Sequence, residues 1–586
     1  MARTVPRALL TGLLCVTVGA LAAGCGSSGD PSDTTAGRDG GKRGGTLRVL
    51  SEEDVSPLDP GITYSSAAFN VLSATVRPLY RYTPDDPTTI KPDLAAGPPR
   101  ISADGRTLTV RIRSGVRFGP PVNREVTSAD VKYAIERGFH PSVLNPYAST
   151  YFGDIVGADA ARGGPIRGIR TPDAQTIVFK LTRPTARLLA QATTLPLTAP
   201  VPPEYARRFD AKPKGEMSDY GNWQVATGPY RFAADARGKA LGKGIVPGRR
   251  VVLVRNPNWD PETDSRPAYL DRIEWSIGTE PNVAGRQVLE GRGMTLADTP
   301  TAAIVKRAVE RHADQIFFSP GAGSRYAALN TAIPPFDDPN LRKAVAAQLD
   351  REQMRRVRGG EAIGDIATHF LYPGVAGFEE AGGHEGPPLD FLADPSGNPG
   401  LARRYLARAG YPGGRYTGTE TIEVVGLAGD PADKDAQIFE EALKALGFRT
   451  RLRLVDANVM YARFCAAPRA RVHACPNLGW IRDFADPQTV LDAAFNGDAI
   501  SLEGNNSNWP QLNDPRINAA MDRAELLVDE QERARAWAKI DRMITATAAA
   551  IPWLWDKQPV ISSADVRCVH QLWNQGHCDL AHSSLR

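Results

Sequence analysis

The sequence predicts an α/β protein with more than one domain. Short β-branched and apolar runs alternate along it with amphipathic helical stretches. The chain has 586 residues, whereas one domain commonly takes roughly 100–200. Its texture also changes near residue 320, so that one α/β half precedes that point and a second follows it.

Residues 1–24 predict an export signal. Arg3 and Arg7 form a short positive head, and the apolar run from Leu9 to Ala23 is too short to span a bilayer with its own flanks. Leu21-Ala22-Ala23-Gly24-Cys25 resembles a bacterial lipobox, which makes Cys25 the expected first residue of the mature chain and the site of lipidation. The usual Leu three residues before the Cys is Ala22 here, with Leu21 one place earlier. Residues 25–44 contain no large apolar side chain and read as a flexible tether between lipid and body. No later run reaches the roughly 18 apolar residues that a spanning helix needs.

The first folded segment is the strand Gly45–Leu50, followed by the turn Ser56-Pro57-Leu58-Asp59-Pro60. Tyr64 to Tyr82 reads as one helix, with Phe69, Leu72, Val76 and Leu79 on a single face. Leu108–Ile112 alternates as a strand. Thr127-Ser128 caps a helix through Phe139. Ile177–Leu181, Arg249–Arg255 and Arg272–Ile277 are further strands. Beyond residue 320, Arg325–Asn330, Thr421–Val425 and Arg451–Val455 read as strands. Pro339–Arg358, Leu401–Ala409, Ala436–Leu446 and Glu525–Thr545 read as helices. Ile551–Trp555 returns as an apolar strand.

Composition narrows the function. The chain is 42% hydrophobic, so it can build substantial cores. The 55 glycines and 47 prolines are 102 of 586 residues, about 17%, which suits a loop-rich globular fold. Seventy basic against 66 acidic residues leave a net charge of +4, and removal of Arg3 and Arg7 with the signal lowers it to about +2. That balance excludes the broad basic footprint of nucleic-acid binding. Besides Cys15 in the signal and Cys25, four cysteines remain, as Cys465/Cys475 and Cys568/Cys578. An even count at equal spacing in an exported chain predicts two local disulfides, each contributing somewhat under ~3 kcal/mol in the chain-entropy description. His473, His570 and His577 lie near these pairs, but zinc-type CxxC spacing is absent and no metal is expected. No HExxH, GxSxG or GxxxxGK[ST] motif occurs. The sequence therefore predicts neither an enzyme nor a cofactor.

Several stretches, in order, are similar to one family. They are Gly44–Val49 with Leu58-Asp59-Pro60; Pro92-Asp93-Leu94-Ala95-Ala96; Ile101 to Tyr133; Thr227-Gly228-Pro229-Tyr230; and Arg255-Asn256-Pro257-Asn258-Trp259. Leu329-Asn330-Thr331 through Pro335-Phe336-Asp337-Asp338 to Leu349-Asp350-Arg351, and Gly479 to Pro487, continue the series. The chain resembles the extracytoplasmic solute-binding proteins of peptide- and nickel-type ABC importers, the dipeptide/oligopeptide-binding class. Two departures stand out. Phe118-Gly119-Pro120-Pro121 replaces the usual Phe-x-Asp/Asn-Gly, and the Cys568/Cys578 element lies outside the usual pattern.

The resemblance implies a two-lobed periplasmic-binding-protein-like fold with crossover strands and an extra subdomain in the N-terminal half. The expected plan is lobe I over 45–320 with a subdomain at about 80–210, lobe II over 321–550, and a return to lobe I over 551–586. Solute is then held between hinged lobes. The resemblance places Asp483, in the Gly-Trp-x-x-Asp motif, against a ligand α-ammonium group. Adjacent Arg482 could neutralise it, in which case the ligand need not be an amine. A cap on the turn before Asp486-Pro487 would explain Asp483 equally well. Trp480 is a candidate cleft wall, Tyr64 a candidate reaching from lobe I, and Asn330 a candidate for orienting hinge backbone. Each could equally serve packing or a turn. Trp553 and Trp555 fit a crossover strand and core.

The implied protein is a monomeric lipoprotein outside the cell membrane, serving a permease and its ATPase and taking an oligopeptide. Alternatives are an oligosaccharide, a nickel chelate or a small organic cation as solute, a cell-surface hydrolase, or a module that binds solute to signal.

Overall fold

The computed structural model describes residues 40–586 apart from 53, 144, 159, 214–215 and 503–505. The signal 1–24, the lipidation site Cys25 and most of the tether lie outside the described residues. The tether's end does not stand clear of the body. Lys42 bridges Leu585, and the Gly44 N–H donates to the Tyr269 carbonyl at 2.8 Å.

Thr46–Leu50 is buried in a mixed sheet, flanked in parallel by Arg272–Ser276 and Met294–Leu296. Arg250–Arg255 joins antiparallel to Arg272–Ser276, and Tyr230–Phe232 and Ile245–Val246 pair with it in turn. Leu47, Val49, Leu253, Ile273 and Trp275 point into one core, closed from the C-terminus by Val566, Leu580 and Ala581. An antiparallel four-stranded sheet, ordered Arg100–Ile101, Thr107–Arg111, Thr176–Lys180, Ile169–Asp173, has its own core around Phe118, Ile135 and Phe179. The first half of the chain thus carries a second sheet.

The other body surrounds six strands in the order Gly364–Asp365, Ala550–Ile561, Ile316–Leu329, Ala474–Trp480, Thr421–Leu427, Arg449–Val455. The two longest, Ile316–Leu329 and Ala550–Ile561, are antiparallel partners from Ile316↔Ile561 to Ala328↔Ala550. Their far end meets the first body, where the Thr295 hydroxyl donates to the Ile561 carbonyl at 3.1 Å and Ser562 N–H to Gln315 at 3.0 Å. This two-stranded ribbon carries the chain across and back. Trp553 and Trp555 are buried within the second body, so residues 551–555 still belong to it and the chain regains the first body only beyond Ile561.

Three helices differ from the sequence expectation, each for a local reason. The helix expected from Tyr64 to Tyr82 spans only Ser66–Thr75. Pro78 pushes the preceding residues out of the α region, Val76 is already extended, and Tyr80–Thr83 is a strand. Pro339–Arg358 is two helices, Pro339–Gln348 and Arg351–Arg358, because the Asp350 carboxylate accepts the Gln353 N–H and starts a new one. Glu525–Thr545 is likewise divided. Glu525 ends the helix Pro515–Glu525, and Asp529 caps Glu530–Ala546. The strand at Arg325 begins nine residues earlier than its apolar run. Ser319-Pro320-Gly321-Ala322-Gly323, which precedes that run, forms a bulge inside the strand. Gly321 has φ +61°, and a Cβ there would meet the Pro373 carbonyl oxygen. Disulfides join Cys465 to Cys475 and Cys568 to Cys578.

Asp59, from the Leu58-Asp59-Pro60 turn, grips Arg137 of the helix Ser128–Gly138 at 2.7 and 2.6 Å. Arg137 also binds Asp210 at 2.9 and 2.8 Å. Arg137 and Asp59 are each 1% exposed. Replacing the cation alone leaves two buried carboxylates without their partner. Arg137→Met is therefore expected to lower unfolding stability by about 3–5 kcal/mol, read as a lower urea midpoint at unchanged slope. A loss below about 1 kcal/mol would show the trio to be dispensable.

Candidate functional site

The segment after the strand Ala474–Trp480 leaves the second body and enters the first. Its base is fixed by Arg533, whose guanidinium holds Asp486 through two bonds of 2.7 and 2.8 Å. Phe484, 1% exposed, packs into the core of the four-stranded sheet, edge-on to Tyr151 with ring centroids 4.9 Å apart. The Ala485 N–H donates to the Tyr82 hydroxyl at 2.8 Å. Further along the same boundary, Arg183 forks onto Glu525 at 2.6 and 3.1 Å. The two bodies are closed on each other in this structure.

Asp483 sits at the centre of that boundary. The Tyr64 hydroxyl donates to its Oδ1 at 2.6 Å, and the Tyr151 hydroxyl donates to its Oδ2. Tyr147 lies between the two phenols, with centroids 5.5 Å from Tyr64 and 6.3 Å from Tyr151. Removal from water pushes the Asp483 carboxyl up to about 6, while the two phenolic hydrogen bonds favour its charged form and hold it lower than burial alone would. Both phenols are pushed well above their ordinary value, chiefly by burial and then by the neighbouring carboxylate.

Arg482 does not neutralise Asp483. Its guanidinium donates to the backbone carbonyls of Gly374 at 2.7 Å and Pro87 at 3.1 Å, and its N–H donates to the Tyr372 hydroxyl at 2.9 Å. The Arg is spent on spanning the two bodies, and the carboxylate beside it keeps its charge available.

A cavity of about 70 Å³ opens beside Asp483. Phe69, Leu72 and Val76 line it from one side and Tyr82, Leu195 and Trp573 from others; Arg81, Asp93, Arg266 and Asp579 supply its polar end. The space suits a few waters or one side chain, so a larger solute enters only when the bodies part.

The structure brings Tyr64 and Asp483 together but places the other candidates elsewhere. Trp480 donates its indole N–H to the Thr489 carbonyl at 2.6 Å and packs against Trp509, away from the cavity lining. Asn330 donates to the Val472 carbonyl at 2.9 Å and accepts from Ala332 N–H at 3.0 Å, so its amide fixes a turn. Tyr151, Tyr82 and Trp573 escaped the sequence reading. Each is an aromatic whose partner lies hundreds of residues away, and none stands in a motif that marks it.

Comparison with known proteins agrees with this architecture. The sequence model described as "Bacterial extracellular solute-binding proteins, family 5 Middle" matches residues 89–501. The di/tripeptide-binding protein 2 of Pseudomonas aeruginosa is 26% identical over 541 residues, covering 89% of this chain and 90% of that protein. The oligopeptide-binding protein OppA of Bacillus subtilis is 25% identical, with 91% of each covered. The solved structure of clavulanic acid biosynthesis oligopeptide binding protein 2 superposes with a TM-score of 0.77 at 28% identity, covering 93% of this chain and 96% of that one.

Without solute, ionised Asp483 opposes closure. A carboxyl held above its ordinary 3.8 favours the closed form through its bound proton, and that contribution is lost as the pH rises through about 6. Removing either phenolic donor takes away a bond to the charged form. Tyr64→Phe and Tyr151→Phe should each move the Asp483 titration to higher pH, followed by the 13C shift of its carboxyl; a downward move would mean that the phenols do not stabilise the anion.

Proposed function

The chain belongs to the bacterial extracellular solute-binding proteins of family 5, and on that premise we propose that it captures peptide-like solutes by their α-ammonium group at Asp483 and delivers them to a membrane permease. It is a solute-binding protein of the kind that serves ABC importers, and not an enzyme.

One charge carries the reading. Two arginines and three aspartates are among the described residues lining the cavity. Arg266 holds Asp264 at 2.7 Å and lies 3.6 Å from Asp93, Arg81 lies 3.9 Å from Asp93, and Asp579 accepts from Gln571 at 2.9 Å and from the Ala581 N–H at 2.8 Å. Those groups already hold partners of their own. Among the described residues, Asp483 is met by hydrogen bonds from two phenols alone, which orient it without cancelling it. An α-ammonium group brings the missing positive charge together with three donors.

In this reading residues 45–320 form lobe I with the inserted sheet at about 80–210, residues 321–550 form lobe II together with the strand that runs on to Ile561, and the chain returns to lobe I beyond it. The ribbon of Ile316–Leu329 and Ala550–Ile561 is the hinge. Solute binds with the lobes parted and favours the closed state by its contacts to both. Cys25 carries lipid once residues 1–24 are removed, and the tether keeps a monomeric body beside the permease and ATPase at the outer membrane face.

Isothermal titration with short peptides tests this. Asp483→Asn, and N-acetylation of the peptide, are each expected to cost about 30-fold or more in affinity, from about 2 kcal/mol upward for truncating a desolvated charge pair. Unmodified binding should be flat above about pH 7. It should weaken by up to about tenfold per pH unit once the solute-free carboxyl takes a proton, at about pH 6 where the bodies stay closed and lower where they part. Equal affinity of the Asn variant, or of the acetylated peptide, would overturn the assignment.

A further inference from the structure

The C-terminal loop closed by Cys568–Cys578, one of the two segments that the sequence sets apart from the family pattern, contributes to one wall of the cavity. Asn70 donates to the Cys578 carbonyl at 3.2 Å, Gln571 to the Ser73 hydroxyl at 3.1 Å, and Asn574 to the Ser66 carbonyl at 3.0 Å. All three bonds fix the loop to the helix Ser66–Thr75, which supplies Phe69 and Leu72 to the same cavity. On its other side the loop rests on the crossing ribbon, where His570 stacks on Phe317 with ring centroids 3.9 Å apart at 20°. Between these supports the loop presents Trp573, half-buried, to the cavity.

We propose that Trp573, presented by this disulfide-closed loop, selects ligands with an apolar, preferably aromatic, side chain next to the amino group held by Asp483. The inference rests on the peptide reading above and adds its selectivity. Its ground is the make-up of the lining. Phe69, Leu72, Val76, Tyr82, Leu195 and Trp573 offer apolar faces, and the charged groups at the polar end already hold partners of their own. A charged ligand side chain would lose hydration there and gain no free partner. An aromatic ring would bury its area against an indole and a phenyl ring. The disulfide closes the loop on itself and the three hydrogen bonds tie it to the helix, so the wall stays with the first body when the bodies part.

The test compares Phe-Ala-Ala with Ala-Ala-Ala by calorimetric titration of the full chain. The parent protein is expected to prefer the Phe peptide by about tenfold or more, the scale of a hydrophobic pocket's discrimination. Trp573→Ala should abolish the preference by weakening the Phe peptide alone, while Trp573→Phe retains most of it. The Cys568→Ser/Cys578→Ser double variant, checked for folding by circular dichroism, should lose the preference as well. Asp483→Asn should weaken both peptides together and leave their ratio intact. If both peptides bind through Asp483 but the ratio is indifferent to Trp573→Ala, the selectivity inference fails and the peptide reading stands. If the parent binds neither peptide, both fail.

Discussion

Closing two protein bodies over a carboxylate removes the water that would otherwise solvate it, and everything at the boundary answers to that cost. Asp483 reaches from the second body into the first and finds two phenols. They fill two of its roughly four lone-pair sites and bring no positive charge, and burial holds the carboxyl near 6. A closed form built this way leaves the carboxylate room for further donors and without a countercharge. That is the physical condition under which a cationic solute has differential affinity for the closed state: it completes the charge where both bodies meet, and it does less when they are apart.

The scaffold keeps the condition from relaxing. Arg533 clamps Asp486 three residues downstream, and Phe484 is sunk in the opposite core, so Asp483 cannot swing back to its own body. The obvious intramolecular cation, Arg482, is drawn off by the carbonyls of Gly374 and Pro87. The Asp59–Arg137–Asp210 trio lies within the first body and ties its N-terminal turn to the helix Ser128–Gly138. Two bodies that meet over a carboxylate without a countercharge suit a protein that must hold a solute and later release it.

The fold was largely legible in the sequence because strand and helix periodicities are local. Thr46–Leu50, Arg250–Arg255, Thr421–Leu427 and Arg449–Val455 fall within a few residues of their apolar or β-branched runs. The misreadings arose where one residue overrode the period: Pro78 ending a helix, Asp350 and Asp529 starting new ones, Gly321 hiding a bulge inside a long strand. At the site, the Gly-Trp-x-x-Asp stretch marked Asp483, while Trp480 from the same stretch serves packing. Whether Arg482 would cancel Asp483 was beyond the sequence, since adjacency says nothing about where a long side chain finds its acceptors. Tyr151 and Trp573 were hidden for a similar reason. Their meaning lies in contacts across more than 300 residues of chain, or in a cavity assembled from six separate segments.

Native mass spectrometry of the purified full chain tests the central claim most directly, by weighing whatever the closed bodies retain. The account predicts adduct masses that resolve, on fragmentation, into short peptides with free amino termini. A sugar, a metal chelate or peptides blocked at the amino terminus would contradict it, because none of these brings the ammonium group that Asp483 lacks.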